Sequence, residues 1–178
     1  MQLRGVRCLR AVCFLLAIGP GASIHAQNAV VPEYSLKAAY LYHFIQYTDW
    51  PDSVAVNLNT FNICIAADSP LQAALSAMNG KIAHTKPIAV RAYEQGHYEH
   101  CQVVVFSAHD EEMLRKDSGQ LVVAHVLTVA EDPMIEADTI ITLQVADSRV
   151  EFSIDRTLAH LSGLTISSKL LRLARSVK

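Results

Sequence analysis

Residues 61–67 read FNICIAA and residues 103–106 read VVVF. Both are short runs with no polar alternation, and Asp68-Ser69-Pro70 closes the first. A strand that is apolar on successive positions must bury both of its faces, which is the habit of a parallel sheet held between helices. Between them, Leu71, Ala74, Leu75 and Met78 recur at helical spacing, and Asn79-Gly80 supplies a left-handed stop. A further strand is expected at residues 88–91, then a polar loop bearing His97, Tyr98 and His100. The order strand, helix, strand, strand predicts an α/β fold with a mostly parallel sheet covered on both faces.

Working outward, residues 110–116 begin a polar helix, with Asp110, Glu111 and Glu112 as its cap and acidic first turn. Residues 121–129 (LVVAHVLTV) are apolar throughout and fit a helix end, a strand or both; the second half is read as strand. Residues 140–145 and 149–154 alternate across Ala146-Asp147-Ser148 and predict an antiparallel hairpin near the C-terminus. A short helix over 155–161 is closed by Gly163. Ser167 caps a last helix whose buried stripe is Leu170, Leu171, Ala174 and Val177, leaving Lys169, Arg172, Arg175 and Lys178 as its solvated face.

On the amino side, Pro32-Glu33 opens a first helix and Trp50-Pro51 stops it, with Leu36, Tyr40, His43, Phe44 and Tyr47 on one face. Six of the twelve aromatic residues fall between Tyr34 and Trp50, more than one helix face can bury. Ahead of it stand Arg4, Arg7 and Arg10, an apolar run of roughly eight residues, and small residues ending at Ala26. That order predicts a signal peptide over 1–26, too short to span a bilayer as a helix, and an exported domain over 27–178. Removing it takes three arginines and no acids, leaving twelve basic against seventeen acidic residues. An acidic domain with no basic stripe excludes a nucleic-acid binder.

Cys8 and Cys13 leave with the leader, and Cys64 and Cys101 remain. In an oxidising compartment such a pair forms a disulfide or stays as two buried thiols. The remaining constellations carry little chemistry. His97, His100 and Cys101 have ligand-like side chains but no second pair at metal spacing, so no metal or cofactor is expected. Ser107-Ala108-His109-Asp110 are too close in sequence to form a hydrolytic triad, and no G-x-S-x-G turn exposes a serine. Glu131, Asp132, Glu136 and Asp138 read as a solvated acidic loop without calcium spacing. The four glycines after the leader, at 80, 96, 119 and 163, form no phosphate cradle. A binding or regulatory module is therefore expected over an enzyme.

Two segments resemble the YfiR-like family of periplasmic proteins. Residues 37–51 (KAAYLYHFIQYTDWP) match its Lys-Ala-Ala start, aromatic helix and Trp-Pro close. Residues 150–177 (VEFSIDRTLAHLSGLTISSKLLRLARSV) match its strand, helix, Gly-Leu-x-Ile-Ser-Ser and Leu-Leu-x-Leu-Ala ending, and Val126-Leu127-Thr128-Val129 fit the strand between. The resemblance implies a single-domain α/β/α sandwich in the periplasm. It also implies a partner, a membrane-bound diguanylate cyclase or related sensor that the protein restrains, and an outer-membrane lipoprotein that withdraws it. It pairs Cys64 with Cys101 as a family disulfide. The chain departs from the family in lacking a second cysteine pair near the hairpin, in Asp155 where many relatives have Asn, and in Glu136-Ala137-Asp138 in place of a glycine-rich loop. Tyr42 and Trp50 are the candidate docking residues, with core packing as their alternative role. A homodimer is compatible with this reading, and a small-ligand sensor with a pocket between the sheet and the first helix is its rival.

Overall fold

A computed structural model describes residues 33–55, 59–146 and 149–178. The leader expected over 1–26, Pro32, and Asp147-Ser148 of the hairpin turn lie outside the described residues.

The central strands are β2 (Phe61–Ile65), β5 (Val103–Phe106) and β6 (Leu127–Ala130), every residue of which is buried. They run parallel, with Ile63 beside Val103 and Val103 beside Leu127. On the other flank of β2 lies β4 (Lys86–Ala92), parallel to it, and β4 turns back antiparallel on the two-residue β3 (Ile82–Ala83). Beyond β6 come β7 (Ile141–Ala146) and β8 (Arg149–Ile154), the antiparallel hairpin read from the sequence. The sheet order is β10-β8-β7-β6-β5-β2-β4-β3, where β10 is Ser176–Val177.

Period-2 side chains divide this sheet into two faces. Phe61, Ile63, Ile65, Val103, Val105, Leu127, Val129, Ile141, Leu143, Phe152 and Ile154 belong to one core, reaching from β2 across to β8. Over it pack α1 (Glu33–Gln46), α3 (Gln72–Ser76) and α5 (Arg156–Leu161) through Leu41, Phe44, Leu75 and Ala159. The second face is smaller: Cys64, Val104, Phe106 and Ala130 meet Leu114 and Leu121 of α4 (Glu111–Val123). The hairpin strands turn half-exposed residues such as Thr142, Gln144, Glu151 and Ser153 to that side. The fold is thus α/β, three-layered over the central strands and two-layered over the hairpin.

Three expectations are corrected. On α1 the fully buried residues are Leu41, Phe44 and Ile45, with Lys37 and Ala38 beside them, while His43 is exposed and Tyr40 and Tyr47 are only half-buried. Docking decides this: Phe44 meets the Phe152 ring at 4.9 Å, which rotates the stripe away from His43. The helix ends at Gln46 because Thr48–Asp49 (β1) leaves it to pair antiparallel with Thr165–Ile166 (β9), before the short α2 (Asp52–Ala55). At the carboxyl end, Ser167 does cap a helix, but α6 covers only Ser168–Leu171. The chain then extends along β8, with Arg175 N on Phe152 O at 2.8 Å and Lys178 N on Ile154 O at 2.9 Å. Pairing an otherwise open strand edge outweighs another helical turn, so Lys169, Arg172, Arg175 and Lys178 share no helix face. Third, the Glu131 side chain is buried, not solvated.

Gly163 shows how tightly these connections close. It sits at φ +69°, and a Cβ there would lie 2.8 Å from His125 Nδ1. That imidazole nitrogen is itself 2.9 Å from Ser162 O. A side chain at 163 would break both the turn and the contact.

Candidate docking groove and aromatic cleft

Alanines leave gaps where larger residues would fill them. Ala38 and Ala39 of α1 face Ala74 of α3 and Ala77 at its end across a groove of about 270 Å³, with Tyr42 and His43 on its walls. Tyr42 is half-buried: its hydroxyl donates to Ile82 O at 3.0 Å, and Gln46 Nε2 donates to the same carbonyl at 3.1 Å. Lys81 Nζ stands 5.9 Å from the Tyr42 ring. Exposed His43 stacks on Tyr47, and Ile82 beside them is 54 % exposed. Polar-tipped aromatics and one bare aliphatic around a small-residue floor are the makings of a protein-docking surface.

Trp50 lies elsewhere. It lines a second hollow of about 160 Å³ with Phe61, His84, Gln102 and Asp49, at the amino-terminal ends of β2 and β5. Its ring stands edge-on to Phe61 at 5.1 Å and to His84 at 5.7 Å. The two candidate docking aromatics are therefore not brought together. The space between the sheet and the body of α1 is packed with Leu41, Phe44 and Ile45, so this hollow lies beyond the helix end, away from where a ligand pocket was expected.

Cys64 and Cys101 are joined, with Cα atoms 5.8 Å apart. Cys64 is in register with Val104, so Cys101 precedes its strand by two residues. It reaches Cys64 from the turn that Cys101 N closes on Tyr98 O. The same loop is pinned to α4: Tyr93 donates to Asp117 Oδ2 at 2.5 Å, Gly96 N donates to it at 2.9 Å, and Tyr98 donates to Gln120. Burial, then the bond to the Asp117 carboxylate, pushes the Tyr93 hydroxyl far above the ordinary phenol range. Asn62 completes the clamp, donating Nδ2 to His100 O at 2.6 Å while its own N donates to Gln102 Oε1 at 2.7 Å.

The other sequence candidates resolve into structure. Ser107 and Asp110 satisfy each other, Ser107 Oγ donating to Asp110 Oδ2 at 2.6 Å, while His109 is exposed. Among the described residues no three His, Cys, Asp or Glu side chains are grouped to hold a metal ion. Sequence reading missed Lys37, which is buried and bridges Glu33 at 2.9 Å and Glu131 at 3.7 Å. Burial first, opposed by Lys37, raises the Glu131 carboxyl above its usual range. The available signal was Lys37 lying four residues before Leu41, on the stripe that turns inward. Gln102 was also missed; a glutamine ahead of VVVF carries no mark of the cleft it lines.

Residues 34–175 match the model of the YfiR/HmsC-like family. Among solved structures, the chain is similar to a crystal structure described as a conserved domain protein from Vibrio cholerae O1 biovar El Tor. The two are 14 % identical with a TM-score of 0.55, over 81 % of this chain and 60 % of that one, a likeness of fold. No curated protein matches the chain.

Proposed function

This chain belongs to the YfiR/HmsC-like family, and from that premise we propose that it is a periplasmic regulator that binds and restrains a membrane-bound diguanylate cyclase. The family match over residues 34–175, which takes in α1 from Tyr34 onward and the β7–β8 hairpin, carries the reading. A disulfide suits an oxidising compartment, and no described helix is long and apolar enough to cross a membrane. The protein is exported with cleavage near Ala26 and acts by contact, through the groove between α1 and α3. Tyr42 contributes to that contact, and Trp50 contributes from the neighbouring hollow. An outer-membrane lipoprotein competes for the regulator and relieves the restraint.

The test joins capture to signalling. Tagged protein recovered from membranes carries the cyclase, identified by mass spectrometry, and deletion of the gene raises cyclic-di-GMP and biofilm. Ala39→Arg, at an exposed helix position on the groove wall, keeps the fold and loses the capture. Unchanged cyclic-di-GMP in the deletion strain sinks the reading.

A further inference from the structure

We propose that the cleft beside Trp50 is a binding site for a small, flat, uncharged aromatic molecule bearing a carbonyl or carboxamide oxygen. Its volume of about 160 Å³ is close to that of a cavity of about 150 Å³ known to accept benzene. One ring with a small substituent fills it. Its walls are rings in fixed attitudes: Trp50 stands at 83° to Phe61 and at 81° to His84. Such edges and faces favour a planar aromatic guest over an aliphatic one.

The polar groups define the substituent. Gln102 is 6 % exposed, and its Oε1 is committed to Asn62 N. That bond fixes the amide plane and leaves Nε2 as a donor with no partner among the described residues. Trp50 Nε1 is buried and likewise has no partner there. A buried N–H group without an acceptor is rare and costly, and here the Gln102 amide N–H lies on the same cleft as the Trp50 one. An oxygen acceptor is the complement to both. Asp49 and Lys86 line the same cleft with opposite charges, so neither an anion nor a cation is favoured over a neutral guest. His84 adds an independent mark. It holds a left-handed φ of +53°, unusual for a residue with a side chain, and its Nε2 lies 3.0 Å from Ile45 O. Strain at the β3–β4 turn therefore sets the third wall in place.

Trp50 is the chain's single tryptophan, so its indole N–H gives one resonance that reports on this site alone. Titration of the purified protein with benzamide shifts that resonance, and the Gln102 side-chain amide, saturably. Ethylbenzene, which keeps the ring without the acceptor, and cyclohexanecarboxamide, which keeps the acceptor without the flat ring, bind at least about tenfold more weakly. Gln102→Glu retains the acceptor for Asn62 N, removes the free donor and weakens benzamide by a similar factor. If that variant does not fold, the three-ligand series on the unaltered protein decides. A benzamide titration that leaves the indole resonance still, equal affinity for ethylbenzene, or unchanged affinity in folded Gln102→Glu overturns the proposal. Ala39→Arg leaves benzamide binding intact, which keeps this result separate from that of the docking groove.

Discussion

The two faces of the sheet are held by different means. On the α1 side, apolar side chains run unbroken from Phe61 of β2 to Phe152 of β8, and Phe44 and Ile45 sit fully buried on top. On the α4 side the apolar patch is confined to the central strands, and covalent and polar links supplement it: Cys64 to Cys101, Tyr93 to Asp117, Asn62 to His100. Hydrophobic burial scales with area and needs no precise geometry. Where the area is small, a loop must be fixed by directed bonds. The contrast teaches that the disulfide serves the thinner face and the 93–101 loop, while α1 and the hairpin depend on packing.

Breaking the packed face has the largest expected effect. Phe44→Ala removes a fully buried ring that contacts Phe152 and is expected to cost about 3–5 kcal/mol in chemical denaturation. Opening the disulfide comes next. Cross-linking residues separated by 37 positions stabilises by up to about 4 kcal/mol on loop entropy, less in practice. Double replacement of Cys64 and Cys101 by Ala speeds amide exchange in residues 93–101 and leaves α1 protected. Equal loss of protection on both faces contradicts the division.

A smaller effect is expected where α1 meets the end of β6. The Glu131 carboxyl is raised in the folded protein from an ordinary 4.5 by burial, against the pull of Lys37. Its stability contribution is therefore fullest below that ordinary value, and declines as pH rises through the folded value. Glu131→Gln removes this dependence, so thermal midpoints of variant and wild type diverge in the variant's favour as pH rises from about 4.5. The opposite slope refutes the assignment. The smallest change is a gain. Gly119 lies inside α4, and a Cβ there meets nothing within 4 Å. Gly119→Ala adds about 0.5–1 kcal/mol, and a loss instead shows that the α4 face is in contact with something.

Much of the sheet was legible because it depends on local pattern. Continuous apolar runs marked β2 and β5, the second half of an ambiguous apolar run was read as β6, alternation marked β7 and β8, and a short helix was read where α5 lies. The two hollows were not legible, since each is walled by residues from separate elements: Trp50 by Phe61 and His84, Tyr42 by Ile82 and Lys81. The final segment misled because Leu170, Leu171, Ala174 and Val177 have helical spacing. Spacing says nothing of the vacant edge of β8, which residues 176–177 reach only once the sheet has formed.

The sequence alone determined the α/β class, the parallel core strands, the hairpin and a membership carried by motifs at both ends. Those features rest on periodicity and short-range caps, which neighbouring residues specify among themselves. Only the tertiary structure decided which side of α1 turns inward, that Lys37 and Glu131 meet in the interior, that residues 176–177 pair along the edge of β8, and where Gln102 presents its amide. Each of these depends on contacts between segments far apart in the chain, whose energies no local window contains.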